Sequence, residues 1–317
     1  SGLYYFYDMM VNANKGLNEK GTAISHTKYI QDAPLVAMWN HPSNKWGTFN
    51  EYAGYSEARD EIINLMEVRN NGATYDASYN SALSKGWHIG PTAGQDHHGT
   101  EWGTVNELRT VIRTDDFTEA GLYWALSRRH VYATVDKNFQ IYYDMVVDGQ
   151  TYQMGDIAKY GENATITAIL ELFQPDGEAI GKVEIIGKNS VVVYTINLSD
   201  SYAYLEIPLD GAQPYYYIRV TPADKQLAYT APIWLEACTE HSVKVDEAVS
   251  PTCTVSGLTE GSHCELCGMI VTEQEMIPAT GHSYNQTGVT QPTCEKDGKK
   301  SFICGNCGKA DCAAYNC

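Results

Sequence analysis

Residues 86–99 read GWHIGPTAGQDHHG. A strand-like stretch, 87–92, runs into Gly94 and Gln95 and then into Asp96, His97 and His98. Just upstream, residues 76–85 spell a short helix stopped by Gly86, where a glycine readily takes the left-handed conformation that ends a helix. A helix followed by a strand with chemistry-bearing side chains at its far end is the pattern of an α/β layer. In such layers functional residues collect at the C-terminal ends of the strands. The same alternation continues on both sides. Apolar runs at 35–39 and 65–68 predict further strands. Ala58, Ile62, Ile63 and Leu65 behind Ser56 predict a helix over 56–65. Thr118 is placed to cap a helix reaching Arg129, with Glu119 early and Arg128, Arg129 and His130 late, as the helix dipole favours. Residues 1–135 are therefore expected to be α/β, with a mostly parallel sheet or barrel.

Residues 136–237 change character. β-rich runs at 139–147, 164–173, 182–186, 191–198, 202–207 and 215–220 are separated by turns such as Asp148-Gly149, Pro175-Asp176-Gly177 and Asp210-Gly211. Strands at this spacing with no helical segment predict an antiparallel β-sandwich. Tyr215, Tyr216 and Tyr217 are expected to alternate between the two faces of their sheet.

The whole chain has 317 residues, enough for two or three domains. Lys and Arg number 22 against 39 Asp and Glu, a formal charge of −17. A surface that negative repels phosphate backbones and argues against general nucleic-acid binding. No run approaches the roughly 18 uninterrupted apolar residues of a membrane-spanning helix. All nine cysteines lie at or after Cys238, and that break in composition sets a third region at 238–317.

The first region holds the residues suited to metal chemistry. His41 directly follows one predicted strand, in Asn40-His41-Pro42, and Asp96-x-His98 follows another. Carboxylate and neutral imidazole together suit divalent Zn, Mn or Fe. In an extended segment Asp96 and His98 share a face while His97 takes the other. Glu67 follows Leu65-Met66 near a third strand end. It is read as a ligand, as an acceptor that orients a ligand histidine, or as a structural charge. Asn40, Trp102 and Arg109 lie beside these residues in sequence and are candidates for shaping specificity, Arg109 being suited to a bidentate phosphate contact.

The order His41-Pro42, Glu67-x-x-Asn70, Gly86-Trp87, Gln95-Asp96-His97-His98, Trp102-Gly103 and Arg109-Thr110 resembles the later half of a PHP-type domain, of the polymerase and histidinol phosphatase superfamily. The segment Arg128-Arg129-His130-Val131-Tyr132-Ala133-Thr134 resembles the one that closes the domain in the branch with carbaryl-hydrolase-like proteins. Residues 217–220 and 229–234 resemble the sandwich that often trails it. The resemblance covers roughly residues 20 to 237. It implies a distorted β/α barrel holding two or three divalent metals, with His41, Asp96 and His98 among the ligands. It also implies a metal-activated water as nucleophile on a small phosphorylated substrate or phosphorylated glycan. The superfamily opens on His-x-His, whereas the only histidine before His41 here is His26. With no initiator Met and no visible signal peptide, the expectation is an N-terminally incomplete barrel, inactive or poorly stable alone.

The third region repeats. His241-Ser242 recurs as His282-Ser283, 41 residues on, Pro251-Thr252-Cys253 recurs as Pro292-Thr293-Cys294, again 41 on, and Cys264-x-x-Cys267-Gly268 recurs as Cys304-x-x-Cys307-Gly308, 40 on. Such a period marks a tandem array of small units. Each unit offers one His and three Cys, namely His241, Cys253, Cys264 and Cys267, then His282, Cys294, Cys304 and Cys307. That composition matches a structural Zn site, with disulfides as the rival reading. Cys238, Cys312 and Cys317 fall outside the repeat. Residues 277–282 (Ile-Pro-Ala-Thr-Gly-His) resemble cysteine repeats on surface proteins of gut-type Firmicutes. This implies a bacterial extracellular or cell-surface protein whose repeats contact the cell wall or a partner protein. Two function classes follow: a secreted metal-dependent phosphoesterase, or a non-catalytic surface binding or adhesion protein with a degenerate PHP-like region.

Overall fold

The structure, a computed structural model, describes residues 2–15, 34–161, 164–222 and 228–315. His26 and Cys317 lie outside the described residues. The chain divides into two compact units, Ser1–Ala237 and Cys238–Cys317.

The first unit opens with helix α1 (Gly2–Asn14), which buries Tyr7. Strand β1 (Ala37–Trp39), helix α2 (Glu57–Asp60) and strand β2 (Ile63–Asn70) follow. The helix expected over 56–65 is only α2, and Ile63 already belongs to β2. Every residue of β2 is buried, and an apolar run covered on both sides carries no period to separate strand from helix. Strand β3 (Ala73–Thr74) folds back on the end of β2 through Asn71-Gly72, both with positive φ (37° and 93°), a turn matched to strand twist. Helix α3 (Asp76–Ser84) and strand β4 (Gly90–Gly94) come next. β1 and β4 pair with β2 in parallel on opposite edges.

The chain continues with β5 (Arg109–Ile112), α4 (Glu119–Ser127) and β6 (Val131–Thr134). The Thr118 hydroxyl caps α4 by accepting from the Gly121 N–H at 3.1 Å. β5 and β6 are antiparallel. Ten further strands complete the unit: β7 (Gln140–Val147), β8 (Gln150–Gln153), β9 (Ile157–Tyr160), β10 (Ile166–Phe173), β11 (Gly181–Ile186), β12 (Val192–Leu198), β13 (Tyr202–Leu209), β14 (Tyr215–Thr221), β15 (Ala228–Thr230) and β16 (Ile233–Ala237).

These arrangements overturn the barrel. The parallel α/β layer is limited to β1, β2 and β4, and β9 and β16 form a separate parallel pair. β5 and β6 instead join an eight-stranded sheet in the order β12-β11-β14-β15-β6-β5, with β16 on β14 and β9 on β16. Strand makes up 43% of the structure and helix 14%, and among the described residues no sheet closes. A β/α barrel needs about one helix per strand and a sheet closed on itself. The physical reason lies in β6, whose second edge is taken by β15 in antiparallel register, Tyr229 beside Ala133 and Thr230 beside Tyr132. Strands of the two predicted regions therefore share one sheet. β4 reaches β5 through a side chain, because the Thr110 hydroxyl accepts from the Ala93 N–H at 2.9 Å and donates to the Ala93 carbonyl at 3.1 Å.

A second sheet, β13-β10-β7-β8, shares a core with the large one. Tyr216 enters that core, whereas Tyr215 and Tyr217 enter the core of the α/β layer with Trp39, Tyr79 and Trp87. The large sheet is thus covered on both faces, and the triple tyrosine divides between them.

The second unit is built from β17 (Val243–Asp246), β18 (Gly257–Leu258), β19 (Gly261–Cys264), β20 (Ile270–Thr272), β21 (Met276–Ile277), β22 (Tyr284–Thr290), β23 (Gly298–Cys304) and β24 (Ala310–Tyr315). These form sheets β17-β19-β20, β18-β21 and β22-β23-β24. No helix among the described residues is long and apolar enough to cross a membrane.

Candidate metal sites

Three strand ends place the first cluster. His41 lies two residues past β1, Glu67 lies in the second half of β2 with Asn70 as its last residue, and Asp96 lies two residues past β4. An unbroken strand would send residues 67 and 70 to opposite faces. The register of β2 against β4 shifts between Glu67 and Arg69, and this irregularity turns Asn70 to the side of Glu67. The Asn70 amide then donates to Glu67 Oε1 at 2.9 Å.

Glu67 holds His41 twice. Its Oε2 accepts the His41 backbone N–H at 2.8 Å and lies 2.7 Å from Nδ1. The Glu67 side chain is only 6% exposed, and the Asn70 amide nitrogen also lies 2.8 Å from Nδ1, so these two side chains hold the Nδ1 edge of the ring and leave the Nε2 edge facing outward. His41 Nε2 faces Asp96 Oδ1 at 3.8 Å, and His98 Nε2 lies 3.3 Å from the same oxygen. His41 and Asp96 both have positive φ, 49° and 46°. Such a backbone is uncommon for these residues and clusters at functional sites. A side chain at Gly94 would sit 2.8 Å from Glu67 Oε1, so glycine lets β4 end beside this carboxylate.

The sequence-predicted residues divide as follows. His41, Asp96 and His98 come together, with Glu67 behind His41. His97 turns away to Glu101 at 2.9 Å, although the cause is the left-handed Asp96 rather than a simple extended strand. Arg109 donates to the carbonyls of Gly103, Asn106 and Leu108 at 2.7–2.9 Å, so its guanidinium braces the loop after β4. Among the described residues, no hydrogen bond or ring contact links Asn40 or Trp102 to the cluster. Two members were not anticipated as site residues. Asn70 was visible in the Glu-x-x-Asn spacing. Tyr75 lies near enough that burial, followed by the charges of Glu67 and Asp96, raises its phenol pKa.

The second unit gathers donors more tightly. Among the described residues, two groups of His and Cys have ligand atoms all within 4.8 Å of one another: Cys238, His241, Cys264 and Cys267, and Cys253, His282, Cys304 and Cys307. Cys238 Sγ lies 3.9 Å from Cys264 Sγ and Cys267 Sγ lies 3.6 Å from His241 Nδ1. In the second group, Cys253 Sγ lies 3.8 Å from Cys304 Sγ and Cys307 Sγ lies 3.4 Å from His282 Nδ1. A disulfide needs about 2.05 Å, and the cysteines of both groups are free, as is Cys294. A tetrahedron with metal–sulfur arms of about 2.3 Å has edges of ~3.8 Å, so the donors fit a metal ion.

Both knuckles fold alike. The Gly268 N–H donates to the Cys264 carbonyl at 2.8 Å, and the Gly308 N–H to that of Cys304 at 2.9 Å. Both glycines have φ near 70°, at 73° and 71°. The ligand sets differ from the ones counted along each repeat. Cys253 serves the second group rather than the first, Cys238 takes its place, and the exposed Cys294 belongs to neither. Backbone pairing gives the reason. Thr280 and Gly281 donate to the carbonyls of Thr252 and Cys253 at 2.9 and 3.1 Å, which draws Cys253 beside His282.

The thiols are electrostatically matched to a cation. Burial pushes Cys264 up, but hydrogen bonds from His241 and from the Cys267 and Leu266 backbones outweigh it and hold the thiol at about 6. Cys304 is likewise held at about 6, chiefly by the Cys307 backbone and His282 against burial. Burial and the neighbouring thiols push Cys238 and Cys253 up to about 11. A divalent cation removes that crowding of negative charge. No protein-family model matches the chain, and no curated protein matches it either.

Proposed function

We propose that the first unit belongs to a metal-dependent hydrolase of phosphate esters. The observation that carries this reading is Asp96 Oδ1 placed 3.8 Å from His41 Nε2 and 3.3 Å from His98 Nε2, with the buried Glu67 fixing His41. One carboxylate and two imidazoles suit Mn, Fe or Zn. A bound divalent ion there supplies acidified water and neutralisation of phosphate oxygens. The chain's own residues do the remainder. Glu67 holds the His41 ring with its Nε2 edge outward, and Asp96 and His98 stand open to solvent to receive a ligand. The order of His-Pro, Glu-x-x-Asn and Asp-x-His motifs supports the same chemistry. A small phosphodiester or a phosphorylated glycan is a better substrate for so acidic a protein than a nucleic acid.

In the second unit, zinc is the metal best matched to three thiolates and one imidazole. Zinc here staples a small unit that buries little apolar area. The resemblance of residues 277–282 to surface-protein repeats supports a place outside the cell, with the repeats as spacers or contacts to the wall.

The test is hydrolysis of bis(p-nitrophenyl) phosphate by the full chain in Mn²⁺, beside Asp96→Asn. Because the fold is not the barrel whose truncation was expected to disable the chain, turnover that needs the metal and vanishes in the variant is expected. Equal turnover in both proteins would remove the cluster from the reaction.

A further inference from the structure

We infer that the outer face of the β13-β10-β7 sheet and the cleft next to it form a binding surface for a neutral glycan.

The outer face of a sandwich sheet ordinarily turns polar residues to water. Here Tyr142, Phe173, Tyr202 and Tyr204 all point outward and are 40–53% exposed. The register sets them in rows, with Phe173 opposite Tyr202, and with Glu171 between Tyr204 and Tyr142. The rings of Phe173 and Tyr202 are 6.5 Å apart. Two rings are held by carboxylates, because the Tyr202 hydroxyl donates to Glu171 at 3.2 Å and the Tyr204 hydroxyl donates to Glu206 at 3.0 Å. Anchored rings present fixed faces at small entropic cost.

The face continues into a cleft of about 530 Å³ within the same unit, a volume typical of small-ligand sites. Tyr142 and Asp144 form the seam. Arg113 lies 5.6 Å over the Tyr142 ring and grips Asp144 with both terminal nitrogens. Asp144 pairs across the sheet with Gln153, and both line the cleft along with the half-exposed Trp124. At its base His130 is buried. Its Nε2 lies 2.9 Å from Asp156 Oδ1 and its Nδ1 3.0 Å from the Gln153 side-chain nitrogen, which holds the ring as a fixed wall.

Charge selects the ligand. The cleft carries two arginines against four aspartates. Arg113 is neutralised by Asp144, and Arg128 lies 5.6 Å over the Trp124 ring. With Glu171 and Glu206 beyond the cleft, the surface repels a polyanion. A neutral polysaccharide is complementary. Its hydroxyls donate to carboxylates and accept from guanidinium and amide groups, and its C–H faces lie on the electron-rich faces of aromatic rings.

Affinity electrophoresis of the full chain in hydroxyethylcellulose, galactomannan and xyloglucan, with polygalacturonate as the anionic contrast, tests this. Retardation by at least one neutral polymer is expected. Tyr204→Ala and Trp124→Ala should each weaken it by about 10-fold or more, the scale of one aromatic contact. Both side chains are half-exposed, so the fold, checked by circular dichroism, should persist. Tyr204→Ala should leave hydrolysis of a small phosphodiester unchanged, which keeps this result separate from the metal cluster. The inference is overturned if no neutral polymer retards the chain, if only polygalacturonate does, or if both variants bind like the parent. It is also overturned if the face proves to be a self-association surface, read as a dimer in sedimentation that Tyr204→Ala dissolves.

Discussion

Cys253 Sγ lies 3.8 Å from Cys304 Sγ, 51 residues further along the chain. The second donor group therefore joins two repeats, and the cysteine count within a repeat does not define a site. Cys253→Ser should release one tail metal equivalent, and Cys238→Ser should release the other. Cys294→Ser should release neither. Zinc content by mass spectrometry under non-denaturing conditions checks all three, and loss of metal from Cys294→Ser would restore the repeat-by-repeat assignment.

Glu67 offers one oxygen to two nitrogens of His41 and the other to Asn70. Glu67→Gln keeps the volume but removes the charge that fixes the imidazole. Partners behind a metal ligand are typically worth about 10–100-fold in affinity. Competition titration with Mn²⁺ should show a loss of that order in the first unit, while the tail sites keep their affinity.

Much of this arrangement was legible in the sequence, and the exceptions share a cause. The helix ending before Gly86 and the one capped by Thr118 were readable, because capping chemistry is local. The strands of β10 and β14 were readable from composition and turn residues. The barrel was not refuted by the sequence, since only long-range pairing shows that β6 takes β15 as its neighbour. Likewise Ile62, Ile63 and Leu65 fit a helical stripe until both sides of β2 are seen to be covered. His41, Asp96 and His98 were visible as strand-end residues. The partnership of Cys253 with His282 was not, because it depends on the pairing of Thr280 and Gly281 with Thr252 and Cys253.

Trp87 is fully buried and donates from its indole to the Tyr52 carbonyl at 2.7 Å. It also meets Trp39 edge-on at 4.9 Å. Trp87→Ala leaves a cavity and an unpaired carbonyl in the core beneath the strand ends, at a cost of about 3–5 kcal/mol. Urea unfolding of the first unit, followed by aromatic circular dichroism, should show a loss of that size.

Glu184 is buried between Arg219 Nε at 2.9 Å and Lys182 Nζ at 3.1 Å. Burial pushes its pKa up, but hydrogen bonds and charge from both cations prevail and hold it below the ordinary carboxylate value. A lowered folded pKa stabilises the protein fully above the unfolded value of about 4.3 and loses that stabilisation as pH falls through the folded value. Glu184→Gln should therefore lower the Tm at pH 7. The gap to the parent should narrow below roughly pH 4, which thermal melts across pH would read directly.

The metal content of the first unit is the most direct test of the account. The full chain, dialysed to equilibrium against Mn²⁺ with its tail sites filled by zinc, is compared with Asp96→Asn by elemental analysis. The prediction is bound manganese in the parent that is absent from the variant, with zinc equal in both. Equal manganese in the two proteins, or none in either, would contradict a metal site at His41, Asp96 and His98.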